Sequence, residues 1–134
     1  MGKSIKEQIL GFVDAQHEDV VVPEWGDMTV RVRGLTGQER DAFEDSMTKV
    51  KANGKGVSIN SANFRARFLV LAIVDDEGNR VFTDGEAAFL GTKSAAAINR
   101  LYDVAARLSG MSEADEAELT AAFTNGQSGA AISA

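Results

Sequence analysis

The stretch DVVVPEWGDMTVRVRG, Asp19 to Gly34, carries the clearest strand pattern in the chain. Its second half, Met28 to Arg33, alternates apolar and polar side chains, the period-two pattern of a strand with one buried face. The Trp-Gly-Asp segment at 25–27 supplies turn residues between the two halves. We therefore predict a β-hairpin over residues 19–33. Because Pro23 cannot donate a ladder hydrogen bond, we expect the first strand at an edge of its sheet.

Most of the remaining chain has the three- and four-residue spacing of amphipathic helices. Thr36 and Glu39, for example, are spaced as a capping box at a helix start. The run FLVLAIV at 68–74 is apolar all round, so we expect this helix at the centre of the core. The predicted helices span 4–15, 36–52, 61–74, 83–90, 93–108 and 112–124, with a loop at 53–60.

These elements predict an α+β fold, a mainly α-helical single domain with an N-terminal β-hairpin. A length of 134 residues fits one domain with one core, which we place at residues 1–124. Residues 125–134 are small or polar and offer only Ile132 for burial, so we expect a flexible C-terminal tail there.

The composition favours a soluble globular protein. Hydrophobic residues make up 44% of the chain and charged residues 25%, which argues against overall disorder. The net charge of −6 disfavours a general nucleic-acid binder, which presents a basic surface to phosphates. The absence of cysteine excludes disulfides and thiolate metal sites. Since the sequence has neither a signal-peptide pattern nor an apolar run of about 18 residues, we expect a cytoplasmic protein without membrane contact.

The stretch VDDEGNRVFTD, Val74 to Asp84, gathers acidic residues around a Gly-Asn pair and invites comparison with a calcium loop. Counted from Asp75, oxygen ligands fall at several of the positions that an EF-hand needs, but Arg80 stands where the loop requires glycine. A cation at that position repels the ion and blocks the bend. We therefore interpret the stretch as a turn between two structural elements and predict no metal site.

No group of residues in the sequence predicts catalysis. His17 is the single histidine, and no serine stands in the sequence context of a nucleophile elbow. The glycine-rich NGKG at 53–56 lacks the Lys-Ser/Thr ending of a phosphate-binding loop. We expect no enzyme activity, no catalytic residue and no cofactor.

Three large apolar residues are candidates for partner contact. Trp25 lies at the predicted hairpin tip, where it either folds back on the core or meets a partner. Leu119 and Phe123 stand four residues apart on an acidic helix, and their stripe is too narrow for a strong core contact. We name all three as candidate partner-binding residues and leave the core interpretation open for each.

Four arginines suggest an alternative function. Arg31 and Arg33 on the hairpin, with Arg65 and Arg67 further along the chain, would form a basic patch if the fold brings them together. Such a patch would suit a small acidic regulatory or adaptor protein associated with DNA. Solvated faces of a strand and a helix explain the same residues, and we favour that explanation.

The order of these segments resembles the tail assembly chaperones of long-tailed bacteriophages. The stretch VVVPEWGDMTVRVRGLTGQERDAFE (20–44) has their apolar strand, Pro-Glu-Trp-Gly type turn, second strand and helix opened by a Leu-Thr-x-x-Glu-Arg type motif. The stretch FLVLAIVDDEGNRVFTDGEAAFLGTKSAAAINRLYDVAARLSGMSEAD (68–115) has their buried helix, acidic Gly-Asn turn, short helix and Leu-x-Gly-x-Ser type step. The resemblance covers residues 18–124 and rests on the order and spacing of the motifs.

The resemblance implies a non-enzymatic function. Such chaperones bind the tape measure protein, keep it soluble until the major tail tube protein polymerises around it, and are absent from the mature virion. The implied partners are therefore the tape measure protein and the tail tube protein, in the cytoplasm of a bacterial host, with no nucleic acid and no membrane. Self-association and a longer frameshifted form are left open.

Truncation after Asn125 tests the predicted tail. Because the removed residues offer only Ile132 for burial, we expect the shortened chain to unfold at nearly the temperature of the full chain. Thermal melts of the two chains followed by circular dichroism measure the difference. A drop of many degrees would mean that the tail packs against the domain.

Overall fold

The computed structural model describes residues 2–50, 57–59 and 63–111 of the chain. In this part the α+β prediction is confirmed, with helices as the larger share. The helices are α1 (Ile5–Gly11), α2 (Gly37–Ser46), α3 (Phe64–Ala72), α4 (Ala87–Leu90) and α5 (Ala95–Leu108). The strands are β1 (His17–Val22), β2 (Met28–Arg33), β3 (Thr48–Val50), β4 (Val57–Ile59) and β5 (Ile73–Val74). Short 3-10 turns span Pro23–Trp25 and Asp84–Glu86.

The predicted hairpin is confirmed. β1 and β2 are antiparallel over their full lengths. Trp25 ends the 3-10 turn between them, and Gly26 and Asp27 follow with φ angles of 66° and 60°, a left-handed region that glycine and aspartate adopt more readily than most residues. Since β2 also pairs with β5, the sheet order is β1–β2–β5, and β1 is the edge strand that Pro23 predicted.

The predicted helix over 61–74 is wrong at its C-terminal end, where the last two residues form a strand. α3 ends at Ala72, and Ile73 and Val74 pair with β2 as the third strand of the sheet. These two residues are β-branched, and such side chains pack well on a pleated sheet but lose rotamer freedom in a helix. The hairpin is therefore one part of a three-stranded sheet rather than an isolated ribbon.

The acidic stretch after β5 is a turn, as interpreted from the sequence. Asp75 Oδ1 accepts hydrogen bonds from the backbone N–H groups of Glu77 (2.9 Å) and Asn79 (3.0 Å). Gly78 lies between them with a φ of 85°, which requires a residue without a Cβ or one that tolerates strain. The carboxylate of Asp75 thus organises the backbone of the turn.

The predicted helix over 36–52 and the predicted loop over 53–60 are both wrong in part. α2 ends at Ser46, whose hydroxyl donates to the Phe43 carbonyl at 2.6 Å. A serine hydroxyl that bonds back to the preceding turn competes with the helical ladder. The chain then forms β3, which pairs with β4 in a separate two-stranded sheet. Both strands are rich in β-branched residues, which favour this pairing.

The core lies between one face of the three-stranded sheet and the helices α3 and α5, both of which contact the sheet. Phe68 of α3 is fully buried and meets Phe43 and Tyr102 edge to face, with ring centroids 5.1 and 5.3 Å away. The central position expected for the run 68–74 is therefore confirmed. Buried residues include Val22, Val30, Val32, Phe68, Leu69, Val70, Ile73, Leu101 and Ala105.

The predicted helix over 112–124 and the tail over 125–134 lie outside the described residues. Within the described ranges, no helix has both the length and the apolar character that a bilayer crossing requires.

The end of α5 packs directly against the segment that joins β2 to α2. A Cβ atom added at Gly34 would lie 2.3 Å from the Leu108 carbonyl oxygen, so only glycine fits there. The Ser109 hydroxyl accepts a hydrogen bond from the Leu35 N–H at 2.8 Å and donates to the Ala105 carbonyl at 2.7 Å. This junction fixes α5 against the sheet.

Arg33 and Glu39 join β2 to the start of α2. Arg33 donates two hydrogen bonds of 2.7 Å to the Glu39 carboxylate. That carboxylate also accepts from the Thr36 N–H, and the Thr36 hydroxyl accepts from the Glu39 N–H, which completes the predicted capping box. The hydrogen bonds from Arg33 lower the pKa of Glu39 from its ordinary 4.5 to about 2, although partial burial opposes the change.

Gly34→Ala should destabilise the protein by about 1–3 kcal/mol, because the new methyl group overlaps the Leu108 carbonyl and forces the backbone apart. Gly37→Ala is the matched control, since a Cβ there meets nothing within 4 Å. It should be neutral or stabilising by up to about 1 kcal/mol. Urea unfolding of the three chains measures both effects; equal stability of the two variants would contradict the close contact.

The ion pair between Arg33 and Glu39 makes the free energy of unfolding depend on pH. Because the pKa of Glu39 is lower in the folded chain, its contribution is complete above about pH 4.5 and is lost as the pH falls towards 2. Glu39→Gln should cost about 1–2 kcal/mol at neutral pH, a figure reduced because the pair is partly exposed, and almost nothing near pH 2.

Glu44→Gln is the control for that measurement. Glu44 pairs with Arg40 on the exposed face of α2, so its loss should cost less than about 0.5 kcal/mol at any pH. Denaturant unfolding across the acid range measures both variants. A Glu39→Gln penalty that stays constant with pH would mean that the carboxylate charge is not the source of the stabilisation.

Candidate partner-binding surfaces

Trp25 packs partly on the core and is partly accessible, so neither contact with the core nor contact with a partner is excluded for it. Its side chain is partly buried and packs against the hydrophobic core. The 3-10 turn that carries it contacts α5, and Glu24 beside it pairs with Arg100 of that helix. The hydrogen bond from Arg100 lowers the pKa of Glu24. Trp25 is thus held at the edge of the domain with one part of its ring system against the core and the rest accessible.

A shallow groove of about 380 Å³ lies beside Trp25, along the open side of β2. Its apolar walls come from the hairpin on one side and from the segment after β5 on the other. Its polar groups are carboxylates, a threonine and one guanidinium. The lining residues are Asp19, Trp25, Met28, Thr29, Val30, Arg31, Ile73, Val74, Asp75, Asp76, Val81 and Phe82. The groove therefore offers a mixed apolar and acidic surface.

A group of large exposed apolar side chains lies on and directly after α1. None of the seven helical residues is buried. Five large side chains of this region, which we call the α1 stripe, point into solvent: Ile5 (70% exposed), Ile9 (65%), Leu10 (74%), Phe12 (74%) and Val13 (95%). Monomeric proteins rarely leave so many large apolar side chains together in water without using them.

The sequence alone does not identify the α1 stripe as a candidate surface. The helical spacing of Ile5, Ile9 and Phe12 is visible in the sequence, but the same spacing is typical of a helix that packs on its own domain. A short amphipathic helix followed by exposed Phe12 and Val13 carries no sequence signal that separates self-packing from partner contact. Its exposure becomes evident only from the fold.

The other two predicted partner-binding residues, Leu119 and Phe123, lie outside the described residues. Their status as candidates stays a prediction from the sequence.

The hairpin arginines are occupied by neighbouring carboxylates. Arg31 Nε donates to Asp19 Oδ1 at 2.8 Å, and this hydrogen bond lowers the pKa of Asp19. Arg33 is held by the two hydrogen bonds to Glu39. Each positive charge therefore lies beside a negative one, and the hairpin does not present a uniform basic face.

The two helical arginines of the hypothetical basic patch also have intramolecular contacts. The Arg65 guanidinium lies 4.6 Å from the centroid of the Phe64 ring, within the range of a cation–π interaction. Arg67 donates to the Ser46 carbonyl at 3.2 Å. Each of the four arginines therefore has a contact within its own fold.

The described residues were also compared with the requirements of a metal site. His17 is exposed on the edge strand β1. Within residues 2–50, 57–59 and 63–111, no three potential metal-ligating side chains lie together. The α1 stripe and the groove beside β2 are two candidate surfaces for a polypeptide partner.

Comparison with known proteins identifies the family of this chain. The family model described as phage tail assembly chaperone matches residues 5–120, which is most of the chain. No curated protein is similar enough to match. The solved structure of the bacteriophage HK97 tail assembly chaperone superposes with a TM-score of 0.53 at 16% sequence identity, over 81% of this chain and 93% of that one.

The family match includes every helix and strand described above, from α1 to α5. The HK97 structure shows that the α+β arrangement itself is shared, since its sequence is too distant to show more than the fold. The resemblance first seen in the order of the sequence motifs is confirmed. The chain belongs to the phage tail assembly chaperone family.

Proposed function

We propose that this protein binds the tape measure protein of its phage and keeps it soluble while the major tail tube protein polymerises around it. The function is non-enzymatic and takes place in the cytoplasm of the bacterial host. The chaperone is then displaced and is absent from the mature virion. Family membership supports the assembly role, and the exposed α1 stripe is the single observation that supports binding through apolar contacts.

The length of α1 strengthens the argument for a partner. An isolated helix shorter than about 12 residues is marginal in water, and helices in proteins are normally stabilised by packing one face. α1 has seven residues, and none of them is buried. Contact with an apolar helix of the tape measure protein would cover the α1 stripe and supply the missing stabilisation, in the manner of an amphipathic helix that docks on its partner.

Trp25, Leu119 and Phe123 remain in the proposal as additional anchors. Trp25 has an accessible edge beside the groove, and large aromatic groups at the margin of a domain contribute strongly when a partner covers them. The net charge of −6 keeps the chaperone itself soluble while it presents apolar side chains. Self-association through the same apolar surface competes with partner binding as a use of these residues. Sedimentation experiments distinguish the two.

The DNA-associated adaptor function is less well supported than the chaperone function. Arg31 and Arg33 are neutralised by Asp19 and Glu39, so little positive charge is available for phosphates. Absence of binding to a DNA duplex at low salt would remove the alternative. Binding that weakens steeply as salt is raised would restore it.

Co-expression with an aggregation-prone tape measure fragment tests the proposal through the α1 stripe. Phe12→Ser should weaken binding by about 1–3 kcal/mol and return much of the fragment to the pellet, because it removes a large exposed anchor. The melting temperature should stay close to that of the wild type, since the side chain is 74% exposed. The soluble fraction of the fragment and the thermal unfolding of the chaperone are measured together.

Phe89→Ser is the matched control, because Phe89 is an equally exposed phenylalanine (72%) on α4 rather than in the α1 stripe. It should leave the fragment soluble. Equal losses from the two variants would mean that general hydrophobicity, not the α1 stripe, does the binding. A fragment that stays insoluble beside a well-folded wild type would refute the chaperone function. A stripe-dependent dimer in sedimentation experiments, with no complex, would assign the stripe to self-association.

A further inference from the structure

The C-terminal end of α5 is closed by a glycine cap. Gly110 has a φ of 79°, and its N–H donates to the Arg107 carbonyl at 3.1 Å. The Met111 N–H donates to the Ala106 carbonyl at 3.0 Å. These two hydrogen bonds are the pattern in which a residue with positive φ turns the chain out of a helix. Residues 112–134 therefore begin at the C-terminal end of α5.

This end of α5 adjoins the segment that follows the α1 stripe. Leu108, Gly34 and Asp14 are among the residues that line one cavity of about 290 Å³. Asp14 directly follows Val13, the last residue of the stripe. The Gly34 N–H also donates to the Gln16 carbonyl at 2.9 Å, which holds the start of β1 at the same junction. The stripe therefore ends close to the point where α5 ends.

Residues 112–124 are long enough to cover the stripe from this point. The sequence predicts a helix over this segment, which would measure about 20 Å at 1.5 Å per residue. The seven residues of α1 form a helix about 10 Å long. Leu119 and Phe123 are four residues apart, so a helix brings both side chains to one face. A narrow apolar face of this kind matches the small apolar surface that α1 offers.

The two segments are also complementary in charge. Residues 112–124 contain four acidic residues and no lysine or arginine. The N-terminal segment has Lys3 and Lys6 against the single acid Glu7. Both lysines are exposed, and Lys6 directly follows Ile5 of the stripe. Opposite charges beside an apolar contact favour pairing between the two segments and disfavour pairing of the acidic segment with a second copy of itself.

We infer that residues 112–124 dock on the α1 stripe of their own chain in the free chaperone. Leu119 and Phe123 lie against the apolar side chains of the stripe, and the acidic residues lie towards the two lysines. A segment tethered this close has an effective concentration in the millimolar range, well above that of a second copy in a micromolar solution. The tether therefore selects the segment of the same chain as the occupant.

The docked segment regulates the site named in the proposed function, on which this role rests. It covers five large apolar side chains until a helix of the tape measure protein replaces it. The apparent affinity for that helix falls in proportion to the fraction of chains in which the stripe is free. Once displaced, Leu119 and Phe123 are available to the partner as additional anchors.

Paramagnetic broadening in the isolated, isotope-labelled full chain tests the docking. Because the sequence has no cysteine, Ala121→Cys provides a single attachment point for a nitroxide, on the helix face opposite Leu119 and Phe123. The nitroxide should broaden the backbone amide signals of residues 9–13. Leu119→Ser combined with Phe123→Ser keeps the tether and removes the apolar contact, so it should reduce the broadening at least about threefold.

Ala114→Ser combined with Ala117→Ser is the matched control, because it adds the same two hydroxyls to the opposite helix face. This control should retain the broadening. Lys6→Glu should weaken it at low salt, because the new carboxylate meets the acidic segment. An isotope-labelled chain without nitroxide, mixed with an unlabelled chain that carries it, reports contact between copies and should show unchanged signals for residues 9–13.

Hydrogen exchange repeats the test without the cysteine. The amides of α1 should exchange at least about threefold more slowly in the wild type than in the Leu119→Ser/Phe123→Ser chain, and thermal melts verify that both chains fold. Broadening that the double change leaves intact, or equal exchange in the two chains, would overturn the inference. Broadening in the mixed sample would also overturn it and assign the stripe to a second copy. Because no tape measure fragment is present, a failure here is distinct from a failure of the proposed function.

Discussion

The edge-to-face packing around Phe68 is the contact on which the rest of the fold depends. Its fully buried ring meets Phe43 of α2 and Tyr102 of α5, so a single side chain fixes three helices relative to one another. Full burial of a phenylalanine contributes about 1.5–3 kcal/mol, and favourable ring geometry adds to it. With α5 held in this way, its last turn meets the sheet at Gly34, where only a residue without a side chain allows the approach.

Much of this arrangement could be predicted from sequence because the signals are local. Alternation from Met28 to Arg33 specified β2, and the Thr36–Glu39 spacing specified the start of α2. The two-residue strand β5 could not be separated from α3 in the same way. An apolar run without polar interruptions has no period, and its end is set by pairing with β2 and by the Asp75 turn. Strands β3 and β4 have three residues each, too few for a period-two pattern to distinguish them from the end of a helix or from a loop.

The candidate binding surfaces were less predictable because exposure is a property of the whole fold. The sequence identified Trp25 as ambiguous, and the side chain proves to be partly buried and partly accessible. It did not identify the α1 stripe, since the same spacing describes a helix that packs on its own core.

The small size of α1 agrees with a reversible contact. Under the proposed function, this seven-residue helix gains order when the tape measure protein covers it, and the entropy lost in that ordering reduces the affinity of the complex. A weak complex dissociates more readily than one held by a large interface, which suits the proposed displacement of the chaperone by the tail tube protein.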